Sequence, residues 1–196
     1  MRRAGGKDTD REGAMYVRVA ILVGSLRADS FNMQLARTIC ERYRDRMEAE
    51  ILDIGTLPHF DQDAEQDPPP AVADFKRRIR EADGVIIVTP EYNWSVPGVL
   101  KNALDWASRV DKVFIGKPVM IAGATPGMLG TVRAQLHLRE ILSSPGLQAR
   151  VLPPGGNEVL VSLAPQKFAG GRLVDEATLS FLDGVVDKFI AFIASP

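Results

Sequence analysis

Cysteine is nearly absent: Cys40 stands alone among 196 residues. An internal disulfide is therefore excluded, and without a CxxC pair nothing points to a zinc site or a redox dithiol. Cys40 falls in a helical pattern beside Ile39 and reads as an inert helix thiol. Histidine is equally sparse, with His59 in a proline-rich stretch and His137 in a helical one, and both read as structural. No apolar run approaches the ~20 residues needed to cross a bilayer. Neither sign of charge prevails, since 24 Lys and Arg face 25 Asp and Glu for a formal net charge of -1. That balance gives no electrostatic argument for nucleic acid or for an anionic membrane surface. Two nucleotide signatures are missing as well, because the chain has no GxxxxGK[ST] and no GxGxxG after its first strand. Asp53, at the end of the second predicted strand, reads as structural without that glycine triplet.

What remains is an ordinary globular composition, 45% hydrophobic and 25% charged, large enough for one substantial core. Residues 1 to 14 mix acids and bases without an apolar segment. They are expected to be a disordered leader, not a signal peptide, ahead of one domain over 15 to 196 in a cytoplasmic protein. Arg42, Arg44 and Arg46 alternate with Glu41 and Asp45 and read as a solvated helix face.

Apolar runs at 16–23, 50–54, 84–89, 117–123 and 148–152 predict five strands, and the third, Gly84-Val-Ile-Ile-Val-Thr89, is apolar on both faces, as a buried parallel strand is. Helical spacing separates them: Leu35, Ala36 and Ile39; residues 71–82; Val96 to Val110; Val132 to Leu142; and a closing helix over 175–193 with Leu179, Leu182, Val186 and Phe189 on one side. The acidic stretch from Gly55 through Pro70 predicts a surface loop, and 153–174 predicts irregular chain. Strands alternating with helices predict an α/β fold, a doubly wound five-stranded parallel sheet of order 2-1-3-4-5 with helices on both faces. In that order the loops after strands one, three and four meet at one edge, where such sheets bind ligands.

Those loops carry chemistry. Gly24 permits close backbone approach, Ser25 and Ser30 offer hydroxyls, Asn32 an amide and Arg27 a guanidinium fork, all at the positive end of a helix. Together these are the parts of a phosphate cradle, although Ser and Gly there also serve simply to cap the helix. After strand three, Tyr92 and Trp94 stand among carboxylate, amide and hydroxyl groups, a set that suits a planar heteroaromatic ring; exposed loop residues or subunit anchors are the alternative. After strand four, Gly123 to Gly130 is small enough for backbone to follow a flat ring edge.

The stretch from Gly24 to Arg37, the stretch from Thr89 through Pro-Glu-Tyr-Asn-Trp-Ser-Val-Pro-Gly to Trp106, and the segment from Gly127 to Arg139 resemble the NAD(P)H-dependent FMN reductase family. That flavodoxin-like group includes bacterial quinone and chromate reductases and azoreductases. The resemblance runs from about Val17 to the last helix. It implies that Ser25, Arg27, Ser30 and Asn32, with Leu26 and Phe31 beside them, hold the FMN phosphate. It also implies that Pro90, Glu91, Tyr92, Asn93, Trp94 and Ser95, with Thr125, Pro126 and Gly127, border the isoalloxazine. Many relatives have tyrosine at the place of Trp94, a departure that bears on which acceptors fit. The implied activity is hydride transfer from NADH or NADPH to FMN and then, in a ping-pong cycle, to a quinone, azo compound, chromate-type oxyanion or free flavin. A dimer or tetramer is implied too. Glu91 is expected to position backbone and not to transfer protons. An FMN electron carrier without nicotinamide turnover, and a flavin-poor binding protein on the same fold, are the competing readings.

Overall fold

The computed structural model describes residues 16–195; the expected leader lies outside them. Five parallel positions form the main sheet, in the order β2-β1-β3-β4-β5. Its members are β1 (Val17–Val23), β2 (Met47–Leu52), β3 (Gly84–Val88), β4 (Pro118–Ala124) and β5 (Arg150–Val151). Between and after them run α1 (Phe31–Arg42), α2 (Pro70–Glu81), α3 (Gly98–Ala107) and α4 (Val132–Ser143). The fold is flavodoxin-like, as the pattern predicts, and the switch falls between β1 and β3, where Ile21 pairs with Ile86 on one side and Ile51 on the other.

Strand alternation divides the core in two. Val19, Ile21, Val23, Ile86, Val88 and Met120 point to one face, where they pack with Leu35 and Ile39 of α1 and with Leu182, Val186 and Phe189 of α5 (Glu176–Ala194). Ala20, Leu22, Val85, Ile87, Val119 and Ile121 point the other way, onto Phe75 and Ile79 of α2, Leu100 and Leu104 of α3, and Leu138 of α4. Because β3 is buried on both faces, no polar side chain interrupts it.

Three elements depart from the sequence expectation. The second strand starts at Met47 and stops at Leu52, earlier than the predicted 50–54, because the Asp53 carboxylate accepts the Gly55 N–H at 3.0 Å and turns Ile54–Thr56 into a 3-10 turn. The fifth position is split. β5 has two residues, and the chain returns to the same edge of β4 as β6 (Val159–Val161), paired with Ala122–Ala124. Pro153 and Pro154 have no N–H to give a ladder, and Gly155 and Gly156 follow at φ 93 and 89. The Glu158 carboxylate gathers the N–H groups of Gly155, Gly156 and Asn157, which hold its pKa below the usual range. Residues 153–174 are thus not wholly irregular, since β7 (Phe168–Ala169) and β8 (Arg172–Leu173) also form a hairpin across Gly170 and Gly171, both with positive φ.

Arg42, which ends α1, and Arg46 just beyond it are paired, not merely solvated. Arg42 Nε and Nη2 each reach the Asp183 carboxylate at 2.7 Å, the Tyr43 hydroxyl donates to the same carboxylate at 2.7 Å, and Arg46 pairs with Asp187. These contacts fasten α1 to α5 on the seam beside the first core. Burial pushes the Cys40 thiol up to about 11, which keeps it protonated.

A Cβ at Gly123 would lie 2.0 Å from Thr131 Oγ1 and 2.4 Å from the Thr89 carbonyl oxygen. Gly123→Ala should therefore cost at least ~1–3 kcal/mol of stability, read as a lower urea midpoint. The Arg42 hydrogen bond holds the Asp183 pKa below its ordinary 3.8. Its contribution is present above the unfolded value and is lost as pH falls through the folded one. Asp183→Asn should cost about 1 kcal/mol or less at pH 7, the ceiling for a largely exposed pair, and the gap in melting midpoint should close as pH falls through the lowered folded-state value.

Candidate active site

Backbone hydrogen bonds bring the three loops to one edge. The Gly24 N–H donates to the Val88 carbonyl at 2.9 Å, tying the end of β1 to the end of β3. Gly24 has little room for a side chain: a Cβ would meet Thr89 Oγ1 at 3.0 Å and Pro90 Cδ at 3.2 Å. Ser25 is buried beneath the turn that follows. Ser30 caps α1, its hydroxyl accepting the Met33 N–H at 3.0 Å, while its own N–H donates to the Arg27 carbonyl at 3.1 Å. Among the described residues the N–H groups of Phe31 and Asn32, at the first turn of α1, have no acceptor. The exposed Arg27 guanidinium likewise has no ion-pair partner among those residues. Two open helix N–H groups, two hydroxyls and an unpaired guanidinium form a donor set suited to a phosphate dianion.

Asn32 does a different job from its neighbours. Its amide Nδ2 donates to the Ala124 carbonyl and its Oδ1 accepts the Ala124 N–H, both at 2.9 Å and both buried. With both ends occupied, the side chain straps the first loop to the end of β4. Leu26, largely exposed, lies against the 53–56 turn, where a Cβ on Gly55 would come within 2.7 Å of it.

The loop after β3 folds into a tight turn. Tyr92 and Ser95 exchange backbone hydrogen bonds at 3.1 and 3.0 Å around Asn93 and Trp94, whose φ values are 51 and 64. Positive φ at both central residues makes a type I′ turn, for which Asn-Gly is the favoured pair. Tryptophan in the glycine position holds a conformation costing on the order of 1–3 kcal/mol, a cost that recurs at functional sites. The turn is pinned to α4. Glu91 Oε2 accepts the N–H groups of Arg133 and Ala134 at 2.9 and 3.1 Å, supplying the cap that Thr131 does not. Ser95 Oγ lies 3.1 Å from His137 Nδ1, and the Arg133 guanidinium carbon sits 4.0 Å above the Trp94 ring.

After β4, Thr125 Oγ1 accepts the Gly127 N–H at 3.2 Å, and the Thr125 and Gly127 carbonyls take N–H groups from Ala164 and Leu163 at 3.0 Å each. Pro126 and Gly127 face solvent, and Met128 and Leu129 beyond them are 81% and 69% exposed. An open shelf results, with apolar side chains at its rim. Arg133, His137, Met128 and Leu129 lie beyond the site residues that the sequence predicts; the i, i+4 spacing of Arg133 and His137 on a polar stripe of α4 is the signal that marks two of them.

Other recesses lack this character. A hollow of about 340 Å³ beside β1, β2 and α2 is lined by Arg18, Glu48, Glu50, Arg77, Arg78 and Glu81. Arg77 and Arg78 are already matched there, to Glu81 and Glu50. Among the described residues no group of three or more His, Cys, Asp or Glu is placed to hold a metal ion, and no helix is long and apolar enough to cross a membrane.

The chain is similar to known reductases over most of its length. Residues 17–165 match the model of the NADPH-dependent FMN reductase family. A 2-hydroxy-1,4-benzoquinone reductase of Burkholderia sp is 41% identical, with 91% of this chain and 97% of that protein covered. A quinone reductase of Escherichia coli is 42% identical, with 90% and 95% covered. Among solved structures, a flavoenzyme NAD(P)H:(acceptor) oxidoreductase of Paracoccus denitrificans superposes with a TM-score of 0.82 at 37% identity, covering 91% of this chain and 97% of that one. With the match spanning most of the sheet and all three loops, the chain belongs to the NADPH-dependent FMN reductase family.

Proposed function

We propose that this chain, an NAD(P)H-dependent FMN reductase by family, reduces quinones as its principal acceptors. Azo compounds, chromate-type oxyanions and free flavin are further acceptors under the same scheme. FMN is its cofactor, with NADH or NADPH as the reductant. The observation that carries the reading is the convergence of the three loops. Gly24 is bonded to Val88, Asn32 to Ala124, and Glu91 to the start of α4, so a phosphate cradle and an aromatic shelf share one sheet edge.

In this reading Ser25, Ser30, Arg27 and the open N–H groups of α1 hold the FMN phosphate, with Leu26 and Phe31 beside it. Asn32 fixes the height of that cradle against β4. Pro90 to Ser95 and Thr125 to Gly127 lie along the ring, Glu91 acting through its grip on α4. Bound there, FMN would supply the redox chemistry, hydride transfer between the nicotinamide and the acceptor. NAD(P)H, one proton and a quinone thus yield NAD(P)⁺ and a hydroquinone. No side chain is given a proton-transfer role: Glu91 is committed to two backbone N–H groups and His137 to Ser95. The open shelf and its apolar rim favour a dimer or tetramer with the ring near a subunit boundary. The cytoplasm, where reduced nicotinamide nucleotides are made, is the assigned compartment.

Arg27→Ala should weaken FMN retention by about tenfold to a hundredfold, since a hydrogen bond to a charged group contributes ~1.5–3 kcal/mol. Flavin fluorescence titration of the stripped protein measures it, and an unchanged Kd would remove Arg27 from the cradle. The purified yellow protein should oxidise NADH or NADPH steadily with menadione, giving parallel lines in a double-reciprocal plot. Reduction that occurs only through a partner reductase would make it a carrier instead.

A further inference from the structure

The proposed flavin site gives Arg133 no role and Trp94 only a place along the ring. Trp94 is 68% exposed and held at a φ that tryptophan rarely adopts, and the Arg133 guanidinium stacks on its ring at 4.0 Å. Neither is there to fill the core. Among the described residues Arg133 has no carboxylate partner, because the adjoining Glu91 is spent on the backbone N–H groups of Arg133 and Ala134. The backbone that carries the pair is pinned. The Tyr92–Ser95 ladder fixes the turn from within, and Glu91 and the Ser95–His137 contact fix it to α4. A cation lying over an exposed ring gives an aromatic surface carrying one positive charge, whose guanidinium also offers hydrogen-bond donors.

Its position is as informative as its composition. Trp94 belongs to the loop after β3 and Arg133 to the helix that begins after the β4 loop, so the pair bridges the two segments assigned to the ring. From these observations we infer that Trp94 and Arg133 form an acceptor-recognition platform that selects planar aromatic acceptors carrying a negative charge, such as ionised hydroxyquinones, over neutral quinones. The inference rests on the flavin reading of the same edge and adds to it the class of acceptor. The indole contributes stacking area, which any quinone can use, while the guanidinium contributes a charge-assisted contact that only an anion can use. Discrimination therefore resides in Arg133, and Trp94 keeps that guanidinium flat and in place.

The test compares 2-hydroxy-1,4-naphthoquinone, anionic at pH 7, with neutral menadione, as a ratio of kcat/KM values on the FMN-loaded enzyme. Arg133→Gln should lower the ratio about tenfold, and Arg133→Lys, which keeps the charge, should restore much of it. Trp94→Gly places the favoured residue in the type I′ turn, so it should melt no lower than the wild type while still losing selectivity. On the unmodified enzyme, raising the salt from 20 to 500 mM (~20 and ~4 Å of screening length) should depress turnover of the anion and not of menadione. In FMN-free protein the anion should quench exposed Trp94 at lower concentration than menadione does, and Arg133→Gln should abolish the difference. A ratio that is unmoved by Arg133→Gln, or indifferent to salt, overturns the inference; that would also be the result if the pair is covered by a second copy of the chain. Failure of the flavin reading would look different, as a wild-type protein that neither retains FMN nor turns over either quinone.

Discussion

The side-chain amide of Asn32 makes two hydrogen bonds to the backbone of Ala124, 92 positions away in sequence, and the geometry of the candidate site depends on that contact. A parallel sheet sets the spacing of its strands but not the height of the loops leaving their ends. Asn32 fixes that height for the first and fourth loops at once. It is buried, its donor and acceptor are both matched, and either one left unpaired would cost more than the bond contributes. Gly24 acts in the same way toward β3, through a backbone bond to Val88 in a space too tight for a side chain. Between them, the switch point becomes a surface of defined shape.

The same economy runs through the second half of the edge. α4 is entered at Thr131 without a side-chain cap of its own, and the missing acceptor comes from Glu91, 42 residues before the Arg133 whose N–H it takes. A carboxylate beside the proposed ring is therefore a structural element, in keeping with the expectation that it positions backbone. One consequence is that the turn carrying Trp94 cannot move independently of α4, since cap, Ser95–His137 contact and guanidinium stack all join the same two pieces. Family membership accounts for the redox chemistry; the local hydrogen bonds account for how rigidly this chain presents it.

Much of the architecture is legible in residue order because the signals are strong and local. Five apolar runs, helical periodicity between them and Ser30 at an N-cap are enough for the α/β sheet and for the first helix, whose hydroxyl takes the Met33 N–H as expected. Where the reading misses, a weak local signal was overruled by pairing or by missing donors. Met47 to Ala49 fall outside the predicted strand and join it only because β1 supplies partners at Val17 to Val19. The split of the fifth position is the reverse case: Val159–Val161 is too short to declare itself, and only the free edge of Ala122–Ala124 makes it a strand. The charged end of α1 reads as solvated because its partners, Asp183 and Asp187, lie some 140 residues later on α5.

By itself the sequence determined the periodicities, the breakers and the inventory of groups: which runs are strands, which loops carry hydroxyls, an arginine and aromatic rings, and that no disulfide could assist. Those properties belong to short windows, so short windows reveal them. Tertiary structure alone decided which of those groups are already in use. Asn32 faces Ala124, Glu91 faces the α4 backbone, and Arg133 lies over Trp94, because contacts across a parallel sheet join residues far apart in the chain. Whether a polar group is free for a ligand is settled only when those distant neighbours arrive.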